Sequence, residues 1–264
     1  MNTKKPIRAM RHRLPTKKYK SHAGRHLSTT AFYACTMKEV LTFLRQLQMN
    51  NNREWFHAHK DEYLAAQATF NAFAEELIER IGRFDESVRG LSLKDCTYRI
   101  YRDTRFSKDK SPYKTHMGVY VCPGGKKSGF SGYYFHVSSG VDQFGINSHL
   151  FAAGDYMADS RVLRVLREDI ENGDGDFEAI LKQVRRKGFL LDDEFRLKRV
   201  PKGFNPEGPY ADYLKYKVYC LVDYVDDEFI TAPDLAKRVA DRFRATKPFL
   251  DYLNRAIAYV REEM

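Results

Sequence analysis

The stretch MGVYVCPGGKKSGFSGYYFHV, residues 117–137, holds two runs of Val, Tyr and Phe on either side of a segment dense in Gly, Lys and Ser. Runs of that composition suit a pleated, half-buried surface, and the Pro-Gly-Gly between them is turn chemistry, so the pair reads as an antiparallel hairpin. Residues 97–102 before it and 141–147 after it repeat the pattern, bounded by Pro, Gly and Ser. The middle of the chain is therefore predicted to be a meander over 97–147, with strands at 97–102, 117–122, 131–138 and 141–147. YKVYCLVDYV at 216–225 supplies a later strand for the same sheet.

Outside the meander the apolar period changes from two to between three and four. Val40, Leu41, Phe43, Leu44 and Leu47 make one helical stripe, which stops at MNNN. Asn51 or Asn52 then caps a segment in which Phe56, Tyr63, Phe70 and Leu77 recur every seven residues. Unbroken to Gly82, that helix would run about 45 Å, so a break midway is expected. Beyond the meander, helices are predicted near 159–172, 177–187, 232–246 and 248–262. Asp176 is expected to cap the second of these, Thr231 and Asp234 to form a capping box, and Thr246 with Pro248 to start the last. Helices at both ends of a run of strands give an α+β fold, a mostly antiparallel sheet packed against N-terminal and C-terminal helices.

A chain of 264 residues with 43% hydrophobic content can bury one sizeable core, so residues 37–264 are read as a single domain. The net charge of +10 is concentrated elsewhere: residues 1–36 hold nine Lys and Arg and no carboxylate. That stretch lacks apolar periodicity and is read as a basic, disordered extension. Three roles compete for it: a dispensable extension with Met37 as the natural start, an arm for nucleic acid, and an Arg-rich transit peptide. No window approaches the roughly 18 to 20 apolar residues of a membrane span. Cys35, Cys96, Cys122 and Cys220 are widely spaced without a C-x-x-C pair, which fits free thiols in the cytoplasm.

Several motifs fail on inspection. GGKKSG is no phosphate-binding P-loop, because Tyr120 stands where the first glycine belongs and Lys127 where a hydroxyl belongs. It is read as a turn carrying solvated lysines. NGDGD at 172–176 is no calcium loop, because Phe177 takes the glycine position. Single histidines such as His116, His136 and His149 are read as structural partners. No cofactor and no metal site are implied.

One segment remains. YRIYRDTRFSKDKSPYKTH, residues 98–116, carries six Arg and Lys against two carboxylates. Unpaired charge is costly to desolvate, so the segment needs solvent, internal ion pairs or an anionic partner. The first expectation is a site for a small phosphate- or carboxylate-bearing ligand. Arg99, Arg102, Arg105, Lys110, Tyr113, Lys114 and, from PKGF, Lys202 are the binding candidates, with Asp103 and Asp109 supporting. Asp103 is the one catalytic candidate, and a carboxylate among cations suits orientation better than proton abstraction. Whether an enzyme or a binding protein results is left open. Two alternatives stand beside this reading. One is a nucleic-acid or protein-binding module using the tail and patch, with Tyr98, Tyr101, Phe106 and Tyr113 as stacking rings. The other is a structural ion-pair network with no site.

NNREWF, the long segment 98–116, GYYFH, PKGF at 201–204 and KPFLDYL at 247–253 together resemble an uncharacterised protein family, domain of unknown function twenty-four sixty-one, over residues 37–264. The resemblance implies one compact domain and no established activity. It marks Arg99, Arg102, Asp103, Arg105, Phe106, Asp109, Lys110, Pro112, Tyr113 and Lys114 as motif positions, and GDYMAD at 154–159 departs from the prolines expected after its Tyr-Met pair.

Overall fold

A computed structural model describes residues 36–140, 149–156 and 159–263. The N-terminal stripe becomes helix α1, Met37–Met49, opened by a Thr36/Glu39 capping box and burying Val40, Leu41, Phe43, Leu44 and Leu47. Asn52 caps α2, Arg53–Ala58, by accepting from the Trp55 N–H. The expected break comes early rather than midway. His59 stacks on Trp55 with 4.1 Å between rings, and its Nδ1 lies 2.8 Å from the Trp55 carbonyl, so the side chain competes for a helical acceptor. Helix α3 then runs Lys60–Gly82, and a short α4, Leu93–Cys96, follows.

Three strands come next: β1 His116–Val121, β2 Gly132–Ser138 and β3 His149–Asp155. The CPGGKKSG segment joins the first two as expected. The strand expected at 141–147 lies outside the described residues, as do Met157 and Ala158 of GDYMAD. β3 itself was not anticipated. Helices α5 Ser160–Asn172 and α6 Asp176–Arg185 lead to the two-residue β4, Leu190–Leu191. The chain continues through α7 Ala211–Leu214, β5 Tyr219–Val225, α8 Asp227–Thr231, α9 Leu235–Phe243 and α10 Lys247–Glu262. The sheet order is β1-β2-β3-β5-β4, antiparallel throughout, and the fold is α+β.

Two expected caps do not form. Gly175, at φ 87°, occupies the N-cap of α6, so Asp176 is the first helical residue. Thr231 ends α8 with its hydroxyl on the Asp227 carbonyl, while Asp234, at φ 56°, precedes α9 without a side-chain cap bond. The left-handed backbone at both positions replaces a side-chain cap.

Alternation along the strands sorts residues to the sheet's two faces. Tyr133, Phe135, Val137, Phe151, Ala153, Tyr219 and Leu221 join the main core with residues of α1, α3, α9 and α10. The opposite face carries Tyr134, Leu150, Ala152, Cys220 and Val222 in a smaller cluster. Gly154 lets β3 approach β5: a Cβ there would lie 2.3 Å from the Tyr219 carbonyl oxygen. Cys96, Cys122 and Cys220 are buried free thiols, and burial pushes Cys96 up to about 12, which leaves its thiol inert.

Candidate functional site

Residues 97–115 form an arm between α4 and β1. The strand expected at 97–102 is replaced by two isolated bridges, Tyr101 with Tyr113 and Thr97 with Val119. Beside the first bridge, Arg102 N–H donates to the Pro112 carbonyl and Lys114 N–H to the Ile100 carbonyl. From Tyr101 to Thr97 is four residues, whereas Tyr113 to Val119 is six, so the register slips by two and the ladder opens between the bridges. A bulge of this kind re-aims side chains. Here it leaves a cleft bounded by Tyr98, Arg99, Lys114, His116 and Gly118 on the arm and β1, and by Gln67 and Asn71 on α3.

Asn51 anchors the arm to the helices by copying a strand partner. Its Nδ2 donates to the Tyr113 carbonyl at 2.9 Å, and its Oδ1 accepts from the Tyr113 N–H at 3.1 Å. The Tyr113 ring stacks on Phe56, 3.9 Å between centroids. Asn51→Ala is therefore expected to cost about 2 kcal/mol, since two partly buried backbone groups lose their partner. Amide exchange should be faster at Tyr113 and Lys114 than in β2; equal protection in the variant and the native protein would contradict this anchor.

The binding candidates fall into three groups. Arg102 pairs with Asp109, whose carboxylate also accepts from Ser111, and Arg105 pairs with Asp103 at 2.6 Å. Lys110 Nζ donates to the Thr104 carbonyl at 2.9 Å. These contacts fold the loop onto itself. Tyr113 is a core residue and presents no ring to a ligand. Lys202 is exposed on the segment after β4, where Asn205 N–H binds Glu171 at the end of α5. Lys202 is not among the residues that line the cleft.

Arg99 and Lys114 remain, and they line the cleft together. Neither forms an ion pair among the described residues. Burial first, and the charge of Arg99 second, push the Lys114 pKa below the ordinary lysine value. Lys126, read from sequence as a solvated turn lysine, approaches the same place. Lys114 Nζ sits 5.2 Å and Lys126 Nζ 5.8 Å from the centre of the Tyr98 ring. Lys126 is placed by its N–H on the Asp95 carbonyl and its ammonium on the Lys94 carbonyl. Only the chain's return through the β1–β2 turn brings it there, which no local pattern announces.

The cleft's volume is about 30 Å³. It accepts a group the size of a small anion or about two waters, well short of the several hundred Å³ that enclose a whole cofactor. A larger groove of about 310 Å³ between α5, α6 and α10 is lined by Glu168, Asp169, Asp176, Glu178, Tyr252 and Arg255, and its carboxylates outnumber its one cation. Among the described residues no cluster of His, Cys, Asp or Glu could hold a metal ion, and no helix is long and apolar enough to cross a membrane.

An α+β domain with a cationic arm bordering its sheet is thus the class of protein the fold defines. Residues 39–252 match the family described as conserved hypothetical protein DUF2461, and the chain belongs to that family. No curated protein and no solved structure matches it.

Proposed function

We propose that the protein binds a small phosphate- or carboxylate-bearing ligand in the cleft of Arg99 and Lys114. The observation that carries this reading is the cleft itself, lined by Arg99 and Lys114 with no ion pair to either among the described residues; burial and the charge of Arg99 also push the Lys114 pKa down. An entering anion relieves both the repulsion and the desolvation. Arg99 supplies a planar fork for two oxygens, Lys114 a point charge, and Gln67 and Asn71 polar groups on the far wall. Asp103 orients Arg105: the hydrogen bond from Arg105 holds its carboxyl down at about 2, too weak a base for proton abstraction near neutral pH.

The structural-network reading has its own observation, the Arg102–Asp109 and Arg105–Asp103 pairs. Arg105–Asp103 is exposed to solvent and the Asp109 end of the other pair is too, so solvent screens both. They support the loop; the charge of Arg99 is felt at Asp103, but neither Arg99 nor Lys114 forms an ion pair there.

Thermal unfolding of the full chain with inorganic phosphate tests the proposal. A ligand at a hundred times its dissociation constant adds about 2.7 kcal/mol, or roughly 5 to 10 °C for a chain of this size. Arg99→Ala and Lys114→Met should abolish the shift, while Arg105→Ala should keep it. No shift with phosphate, sulfate or a dicarboxylate, or one that survives Arg99→Ala, would overturn the assignment.

A further inference from the structure

We propose that the arm docks single-stranded nucleic acid, with one backbone phosphate in the Arg99–Lys114 cleft and neighbouring bases on Tyr101 and Phe106; this rests on the anion reading of that cleft. Aromatic residues of strand-like segments ordinarily face a core, and Tyr113 does so. The other three rings of the arm do not: Phe106 is 95% exposed, Tyr101 46% and Tyr98 44%.

Phe106 stands on a loop with its own internal bonds. Asp109 takes Ser111 and Arg102, and Lys110 takes the Thr104 carbonyl. The loop's conformation therefore presents the ring to solvent, where it contributes nothing to the core. The Arg105 guanidinium lies 5.8 Å from the Phe106 centroid, and Tyr101 rests on Tyr113 at 5.3 Å. Each is a backed platform of the kind on which bases stack without sequence preference. Arg99 and Lys114 border the cleft and form no ion pair among the described residues, so these two cations can meet a phosphate.

A lipid surface would take an apolar tip with cations beside it and needs no ring set apart from that tip. Here two exposed rings and a cleft bordered by two cations belong to one arm, the pairing of stacking surface and phosphate contact that a single strand uses.

Fluorescence anisotropy of the full chain with a short labelled oligothymidine, and with an abasic oligonucleotide of equal length, tests this. Phe106→Ala should weaken oligothymidine binding roughly five- to a hundredfold, the range for one lost base stack, and leave abasic binding unchanged. Tyr101→Ala should act in the same direction, and Arg99→Ala should weaken both. Equal binding of the two oligonucleotides, or an unchanged Phe106→Ala variant, overturns the inference. So does a Phe106 dependence that appears on vesicles of phosphatidylserine and phosphatidylcholine instead. If oligothymidine fails while inorganic phosphate still stabilises the protein through Arg99, the nucleic-acid inference falls and the anion site stands. If phosphate fails as well, both fall.

Discussion

Phe151→Ala is expected to cost about 3 to 5 kcal/mol and to lower the melting temperature by on the order of 10 °C. Phe151 lies on β3, paired on both sides, and is fully buried. Its ring meets Phe135 at 4.8 Å, Phe243 at 5.0 Å, Phe229 at 5.8 Å and Phe189 at 6.1 Å. Those rings come from β2, α9, α8 and the segment before β4, so one side chain joins four parts of the chain. Truncation removes the transfer free energy of the ring and leaves a cavity that rigid aromatic neighbours fill poorly. The control is Phe106→Ala, which deletes the same atoms from an exposed position and should change stability by no more than about 0.5 kcal/mol. Chemical denaturation of both variants measures the contrast, and a Phe151→Ala loss below about 1 kcal/mol would remove Phe151 from the centre of the core.

Stability is expected to fall by about 2 kcal/mol between pH 7 and pH 5 through His136. Burial first, and the charges of His116 and His149 after it, lower the His136 pKa from 6.5 to about 3. The Tyr134 hydroxyl lies 3.1 Å from its Nδ1. The unfolded chain takes up a proton near pH 6.5 that the folded chain refuses until about pH 3. Across that window unfolding binds protons, so stability falls as pH falls, at about 1.4 kcal/mol per unit well inside it. His149 shifts in the same direction, because burial outweighs the bond to Asp227. Urea unfolding at pH 7, 6 and 5 reads the slope, and His136→Gln should flatten it. A slope that is unchanged in His136→Gln would assign the acid sensitivity to another group.

The arm shows where sequence reading stops. Its charge count and its motif were legible, and the cleft lies within it. Which cations remain without a carboxylate depended on loop geometry: Asp109 reaches Arg102 and Asp103 reaches Arg105, pairings that spacing along the chain does not rank. Tyr113 and Tyr101 share a composition and a neighbourhood, yet one is core and the other exposed, because Asn51 clamps the Tyr113 backbone against Phe56. Lys126 comes beside Tyr98 for the same reason. Contacts between residues distant in the chain carry no local signature.

What the sequence determined by itself is what short-range chemistry governs. The stripe Val40–Leu47, the Asn52 cap, the hairpin of β1 and β2, the helix beginning at Lys247–Pro248 and the α+β order follow from periodicity, turn residues and caps. The tertiary structure alone decided the sheet order, the slip that opens the arm, and the meeting of Arg99, Lys114 and Lys126 around Tyr98. Those features minimise the energy of the whole packed chain, where burial, register and charge are settled together, and no window of the sequence contains all their terms.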